Sequence, residues 1–274
     1  MPNHIKNKIE LLSDEQEVKL FVEKFSTFFP AKESLSHDGN HIYKNESGEY
    51  GWFDTNTTVF FRRNMDAVLG IPDGFNPEFE NEFTRMPDFE KVFPVPESIK
   101  AVGNSVNSSV VDCVYKKYNK PFSSNPLLGS LESMNREKVK LKPEDQMQFE
   151  LACKAYEETG FSYWYDYNQY HWGTKWNAYS CEKISDNIFT FETAWNGVPN
   201  IIKEMSKSFK GTIIYKFSDE DTGYNVGSFK IASGVVLDSD RPEGGSRQAY
   251  DLAFELRPEY KENYELINGK WQYK

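Results

Sequence analysis

Hydrophobic and polar residues alternate at the start of the chain. Ile5, Asn7, Ile9 and Leu11 share one side of an extended backbone and His4, Lys6, Lys8 and Glu10 the other, which predicts a strand with one wetter face. The period then lengthens. Ser13-Asp14-Glu15-Gln16 reads as a capping box with Ser13 at the cap, and Val18, Phe21, Val22 and Phe25 recur at the spacing of one buried helix face. Pro30 is expected to end this helix. Residues 31 to about 140 are the least regular. Residues 48–52 and 57–61 look like short strands, while Pro72, Pro77, Pro87, Pro94 and Pro96 argue against long helices between 70 and 100. Asn104 to Asn107 and Ser123 to Asn125 read as loops.

Regular periods return with Pro143 at a first-turn position. Met147, Leu151, Cys153, Ala155 and Tyr156 predict a helix closed by Gly160. Trp176 to Ile184 and Asn187 to Trp195 read as a hairpin turning at Ser185-Asp186, and Pro199 opens a helix with Ile202, Met205 and Phe209 on one face. Thr212 to Phe217 is a strand, and Tyr224 to Val236 contains at least one more. In the tail, Tyr250 to Leu256 suits a helix, and Tyr264 to Tyr273 suits an edge hairpin around Asn268-Gly269.

With the irregular region set aside, the order is strand, helix, strand, strand, helix, strand. That order predicts an α+β fold, a ferredoxin-like βαββαβ antiparallel sheet with a large insertion after the first helix and an additional C-terminal strand region. The expected division is a core of residues 1–30 plus 160–236, an insertion of 31–159 packed on it, and an extension of 237–274. Both core helices cover one sheet face, so the insertion is expected to cover the other.

Composition sharpens this outline. The chain has 274 residues with 21 Phe, 16 Tyr and 6 Trp, enough ring area for a packed core despite a 38% hydrophobic fraction. Its 42 acidic and 32 basic residues give a net charge of −10, which argues against a nonspecific grip on long nucleic acid. Cys113, Cys153 and Cys181 are odd in number and form no CxxC pair, so buried reduced thiols in a cytoplasmic protein are expected. No apolar run suits a membrane span, and the first residues carry no signal-peptide pattern.

The densest ring segment is 163–177, with Tyr163, Trp164, Tyr165, Tyr167, Tyr170, Trp172 and Trp176. Read as a strand, it sets Trp172, Thr174 and Trp176 on one side and Gly173, Lys175 and Asn177 on the other. Such a ribbon is either the ring-filled wall of a core or a recognition surface. As a surface it offers Tyr165, Asp166, Asn168, His171, Trp172, Lys175, Trp176 and Asn177, joined by Trp195 from the neighbouring strand. Rings, one cation and several amides suit a nucleobase-bearing phosphate compound. Gly173 would admit a flat ligand.

Five strings carry a resemblance: Met1-Pro2-Asn3-His4, Phe93-Pro94-Val95-Pro96-Glu97, Trp172-Gly173-Thr174-Lys175-Trp176-Asn177, Thr193-Ala194-Trp195 and Asp219-Glu220-Asp221. Together they resemble the YubB/Api-like ferredoxin-like domain family of phage and conjugative-plasmid proteins, over roughly 1–30, 86–100 and 160–235. The resemblance implies the fold and a mobile-element setting, and no catalytic residue. Tyr167 stands where the family is expected to carry Trp, which shortens the ring and adds a hydroxyl.

Motifs for chemistry are sparse. His37 and His41 are spaced as on one helix turn, yet Asp38-Gly39-Asn40 between them favours a chain turn over a shared metal face. Asp219-Glu220-Asp221 is either a hard-cation ligand set or a solvated acidic turn. Glu243-Gly244-Gly245-Ser246-Arg247 lacks the spacing of a phosphate loop, although Arg247 would reach an anion. His171 suits a structural hydrogen bond better than titration chemistry. The expectation is a non-enzymatic binding protein without cofactor or metal, countering host defence by sequestering a small nucleotide-type ligand. The alternatives are an acidic inhibitor of a host defence complex and, third, a nucleotide-processing enzyme. The oligomeric state is left open.

Overall fold

A computed structural model describes residues 3–29, 33–37, 40–44, 50–54, 59–62, 78–79, 83–118 and 140–274. The chain divides into two compact units, Met1–Val92 with Trp176–Lys274, and Phe93–Lys175. In chain order the first part of the chain forms β1 (His4–Leu12), α1 (Glu15–Phe25), β2 (Thr27–Phe29), β3 (Glu33–His37), β4 (Asn40–Lys44), β5 (Tyr50–Asp54), β6 (Val59–Arg62), β7 (Glu78–Phe79) and β8 (Phe83–Arg85). The second unit contributes α2 (Glu97–Val102), α3 (Ser108–Lys117), α4 (Gln146–Thr159) and α5 (Trp164–His171). The return to the first unit adds β9 (Tyr179–Ser185), β10 (Ile188–Ala194), α6 (Pro199–Ser206), β11 (Thr212–Asp219), β12 (Val226–Ala232), β13 (Val235–Asp240), α7 (Arg247–Leu256), β14 (Tyr264–Ile267) and β15 (Lys270–Tyr273).

The main sheet has the order β13-β12-β11-β1-β10-β9, every neighbour antiparallel. Its β11-β1-β10-β9 part, with α1 and α6 as connections, is the split βαβ pattern of a ferredoxin-like fold. β12 and β13 extend it by hairpins. Two smaller sheets pair β2 with β8 and set β3 to β7 in the order β6-β5-β4-β3-β7. His37 and His41 fall on the paired strands β3 and β4 and not on one helix; residues 38–39 between these strands lie outside the described residues.

β1 buries Ile5, Asn7, Ile9 and Leu11 in strict alternation. These residues share a face with Phe189 and Phe191 of β10 and with Tyr215 and Phe217 of β11. α1 supplies Val18, Phe21 and Phe25 to this core, and Phe21 meets Phe209 at 4.8 Å between ring centroids. The cap of α1 is Asp14, whose carboxylate accepts from Glu17 N at 2.9 Å, rather than Ser13. Ser13 instead donates to the Lys210 carbonyl at 2.8 Å. The helix also ends at Phe25, before Pro30, because the chain turns extended at Ser26 to enter β2; Pro30 lies outside the described residues.

One polar residue sits in the middle of this apolar face. Asn7 is fully buried, and its amide donates to Thr193 Oγ1 and to the Ile5 carbonyl, both at 2.9 Å. Its Oδ1 accepts from Tyr215 Oη at 2.7 Å, and that hydroxyl accepts from Val198 N at 2.6 Å. Thr193 Oγ1 donates onward to the Asn196 carbonyl at 2.7 Å. Burial raises the Tyr215 pKa, which keeps the phenol protonated as the donor this chain requires. Three strands and the start of α6 are thereby joined by paired polar groups.

The second sheet face is covered by α7. Lys216, on the side of β11 opposite Tyr215 and Phe217, reaches Glu255 of α7 at 2.6 Å. Ala249 and Ala253 are buried against Val226, and Arg257 donates to the His4 carbonyl at 2.8 Å. Ser246 caps α7 and Arg247 lies 3.5 Å from Asp251, so the Gly-Gly segment serves as a helix entry. The hairpin β14–β15 turns at Asn268 and Gly269, both with positive φ, and Trp271 donates to Asp251 at 2.8 Å. The C-terminal extension thus covers the β1, β11 and β12 part of this face through α7.

In the second unit, α4 packs against α2 and α3 and ends at Gly160, whose φ of 82° closes it as expected. Residues 97–102 and 108–117, read as irregular from sequence, are helical instead, with the expected loop at Asn104–Asn107 between them, and Val110, Val111, Val114 and Tyr115 form a buried stripe.

Two substitutions test this core. Tyr215→Phe strands Asn7 Oδ1 and the Val198 N–H without partners, and should cost about 2 kcal/mol in denaturant unfolding. Gly197 lies against Phe217, where an added Cβ would sit 2.4 Å from the ring. Gly197→Ala should therefore destabilise by roughly 1–3 kcal/mol, and adding Phe217→Leu should recover part of that loss in a double-mutant cycle.

Candidate functional site

The ring-rich segment 163–177 is not a strand. Trp164–His171 is helical, with Trp172 as its C-cap and Gly173, at φ 75°, supplying the left-handed residue just beyond. Gly173 thus serves helix termination, and the shared side expected of Trp172, Thr174 and Trp176 does not exist. Helical spacing brings Tyr167 and His171 together at 4.2 Å between rings, and Phe161 contacts Tyr167, Tyr170 and His171. His171 packs among Phe93, Phe161 and Tyr167, and burial lowers its pKa.

The polar ends of these rings are used inside the second unit. Trp172 is 1% exposed, and its Nε1 donates to the Phe93 carbonyl at 3.0 Å. Tyr167 donates to the Pro94 carbonyl at 2.8 Å, the bond made by the hydroxyl that the expected Trp would lack. Trp164 Nε1 donates to the Asn104 carbonyl at 2.8 Å, and Asn168 Nδ2 to the Lys175 carbonyl at 3.0 Å. Buried Asp166 accepts from Tyr115, whose pKa is raised by burial and then by the Asp166 charge. The Phe93-Pro94 string and the ring segment are therefore bonded to each other.

Of the residues expected to bind a ligand, Tyr165, Asp166, Asn168, His171, Trp172 and Lys175 lie in the second unit, and Trp176, Asn177 and Trp195 in the first. Asp166, Asn168, Trp172 and Asn177 are buried; Tyr165, His171, Lys175, Trp176 and Trp195 are partly exposed. Asn177 organises the chain around it. Its Oδ1 accepts from Phe89 N at 2.9 Å and Ala178 N at 2.8 Å, and its Nδ2 donates to Asp88 at 2.7 Å. Trp195 has a φ of 70° within a tight turn closed by Asn196 N to the Ala194 carbonyl at 2.9 Å, an unusual conformation for a bulky residue. Its N–H donates to the Asn3 carbonyl, and its own carbonyl accepts from Asn225.

Asp219 completes this end of the sheet. Its Oδ1 accepts from Asn3 Nδ2 and Asp221 N, both at 3.0 Å, and its Oδ2 from Asn225 Nδ2 at 2.9 Å. Three of the strings noted in the sequence thus meet here, Asn3 bonding Asp219 directly and Trp195 joining them through the Asn3 carbonyl and the Asn225 amide. The acidic segment is an organised turn. Among the described residues no group of three His, Cys, Asp or Glu side chains is arranged to hold a metal ion.

An open groove lies elsewhere in the first unit. It has a volume of about 770 Å³ and runs between α1, the β2–β8 pair and β9. α1 presents Glu15, Val18, Lys19, Val22, Glu23 and Ser26 to it, a stripe at helical spacing beside the core stripe of Phe21 and Phe25. Met86, Cys181 and Phe189 help to form an apolar floor, and Phe28, 57% exposed, stands at its side. Glu182, Lys183 and Asp186 complete the rim. The Cys181 thiol is pushed up to about 11, first by burial, so it stays protonated near neutral pH. All three cysteines are free, and only Cys153 is buried outright, where three buried thiols were expected. Val22 was the one sequence signal for the groove, because it widens the apolar face of α1 beyond what the core uses.

No curated protein and no solved structure matches the chain. Among the described residues no helix is long and apolar enough to cross a membrane. Residues 175–265 do match a family described as the ferredoxin-like domain in Api92-like protein. The matched stretch holds β9, β10, α6, β11, β12, β13 and α7, whereas the central strand β1 and helix α1 come from outside it. Together with the sheet order, the match shows that residues 175–265 are similar to the ferredoxin-like domain in Api92-like protein, in line with the resemblance of the sequence strings.

Proposed function

We propose that this chain is a non-enzymatic binding protein that docks a segment of a partner protein in the groove between α1 and β9. The observation that carries this reading is the groove itself, an open apolar floor ringed by charge within one compact unit. Its thiol is held protonated, which suits packing and disfavours nucleophilic attack. The net charge of −10 favours a basic partner through complementarity. With the mobile-element setting that the family resemblance implies, a nucleic-acid-binding component of host defence is the partner class of choice.

Sequestration of a nucleotide-type ligand is the second reading. It draws on Tyr163 and Tyr165, stacked at 6.0 Å, with Trp164 edge-on to Tyr165, all partly exposed in the second unit.

The two readings separate experimentally. Val22→Trp should fill the groove without entering the main core; proteins retained by the wild type should be lost by this variant and kept by Tyr165→Ala. Calorimetry with a nucleotide panel reports the reverse pattern if the second reading is right: tight binding by Val22→Trp and loss in Tyr165→Ala. Cys181 offers an independent readout of the site. From the ordinary value of 9.0 to about 11, its thiolate fraction at pH 8 falls about a hundredfold. Iodoacetamide labelling of Cys181, followed by peptide mass spectrometry, should be slower than that of free cysteine by about that factor. The rate should climb with pH until about 11 and then level.

A further inference from the structure

We infer that the occupant of the groove is an extended segment alternating apolar and basic residues, which adds as a strand to the outer edge of β9. This rests on the binding reading above and specifies its chemistry. β9 ends the main sheet, and among the described strands it pairs only with β10. The groove lies beside this strand, so whatever fills it meets the Glu182–Ser185 part of β9 on one side and the flank of α1 on the other, while Met86, just after β8, sits against Cys181. A strand placed there would run about 4.8 Å from β9 and turn alternate side chains to opposite sides.

The surroundings of such a strand differ on its two sides. Met86, Cys181 and Phe189 on the floor, with Val18 and Val22 on the flank of α1, suit apolar side chains. On the rim, Glu15, Glu23, Glu182 and Asp186 outnumber Lys19 and Lys183. Both lysines already have carboxylates in reach, Lys19 with Glu23 at 4.0 Å and Lys183 with Asp186 at 2.7 Å. Glu182 in turn lies 3.7 Å from Lys6 of β1, so the rim keeps a modest negative excess, which favours Lys or Arg at the outward positions.

Edge strands often carry charges and bulges simply to prevent stray pairing. β9 has both, with Glu182, Lys183 and register shifts against β10. Protection alone does not call for an apolar floor beside the edge, or for Phe28 standing 57% exposed near it. A site that accepts one kind of strand, and repels the rest by charge, accounts for the floor and the rim together.

The test uses the full chain and labelled synthetic peptides in fluorescence anisotropy. The probes are an alternating Lys-Val peptide, an alternating Glu-Val peptide, and a Lys-Val peptide of the same composition in two blocks. The alternating Lys-Val peptide should bind at least about tenfold more tightly than the other two, and its affinity should fall with salt. N-methylation of every second amide should abolish binding in one parity and leave the other parity within about threefold, because only one set of amides faces β9. Val22→Trp should remove binding while circular dichroism and the melting temperature report an intact fold. Equal binding of the three peptides, no binding, or equal loss in both methylation parities overturns the strand-addition inference. If a peptide still binds and Val22→Trp removes it, the groove reading survives that failure. Binding indifferent to Val22→Trp overturns both.

Discussion

The buried amide of Asn7 constrains everything around it, because it sits where an apolar side chain would otherwise be expected. An unpartnered amide at a fully buried position would cost several kcal/mol, so the fold must deliver Thr193, Tyr215 and the carbonyl of Ile5 to it at bonding distance. Only one register of β1 against β10 and β11 does this, the one that sets Asn7 opposite Phe191 and Phe217. A slip by one residue would turn the whole apolar set to the wrong face and strand the amide. The same network fixes the entry to α6 through Val198. A polar residue thus specifies the sheet order, while the aliphatic and aromatic side chains supply most of the burial.

The regular core was legible because local periods agreed with the tertiary outcome. β1, the β9–β10 hairpin, α6 and the terminal hairpin at Asn268-Gly269 all follow from alternation, helical spacing or turn chemistry. What could not be read was which layer covers the second sheet face. The alanines of α7 and the Lys216–Glu255 contact depend on residues far apart in the chain, and no local pattern reports them. Residues 97–117 hid their helices behind flanking prolines and the Asn104–Asn107 loop, although Val110, Val111 and Val114 carry the spacing. The cap of α1 moved by one residue because Ser13 finds the Lys210 carbonyl and leaves Asp14 to take the helix N–H.

The ring segment shows why residue type alone does not define a site. With rings at 163, 164, 165, 167, 170 and 172, both a two-residue and a longer period find support, so the sequence left helix and strand undecided. The deciding fact is where the polar ends go. Trp164, Tyr167 and Trp172 each donate to a main-chain carbonyl, of Asn104, Pro94 and Phe93, which joins two stretches of irregular chain to one short helix. Amphipathic rings are suited to this work because each buries a large area and satisfies an otherwise unpaired carbonyl. Much of the recognition capacity read from the composition is therefore spent inside the unit.

The groove follows from how a long excursion is inserted into a small fold. In a compact ferredoxin-like unit, α1 leads by a short connection to the strand that β9 represents here, and that connection closes over the gap between them. In this chain the path leaves after α1 and returns only at β9, with residues 26–178 between. The gap is lined instead by the flanks of the excursion, Phe28 on departure and Thr84 and Met86 on the way back. The edge of β9 and the outer stripe of α1 belong to the basic architecture, whereas the third wall belongs to the inserted sequence. Substitutions at Phe28 or Thr84 can therefore reshape the groove while Asn7, Tyr215 and Phe191 hold the sheet unchanged.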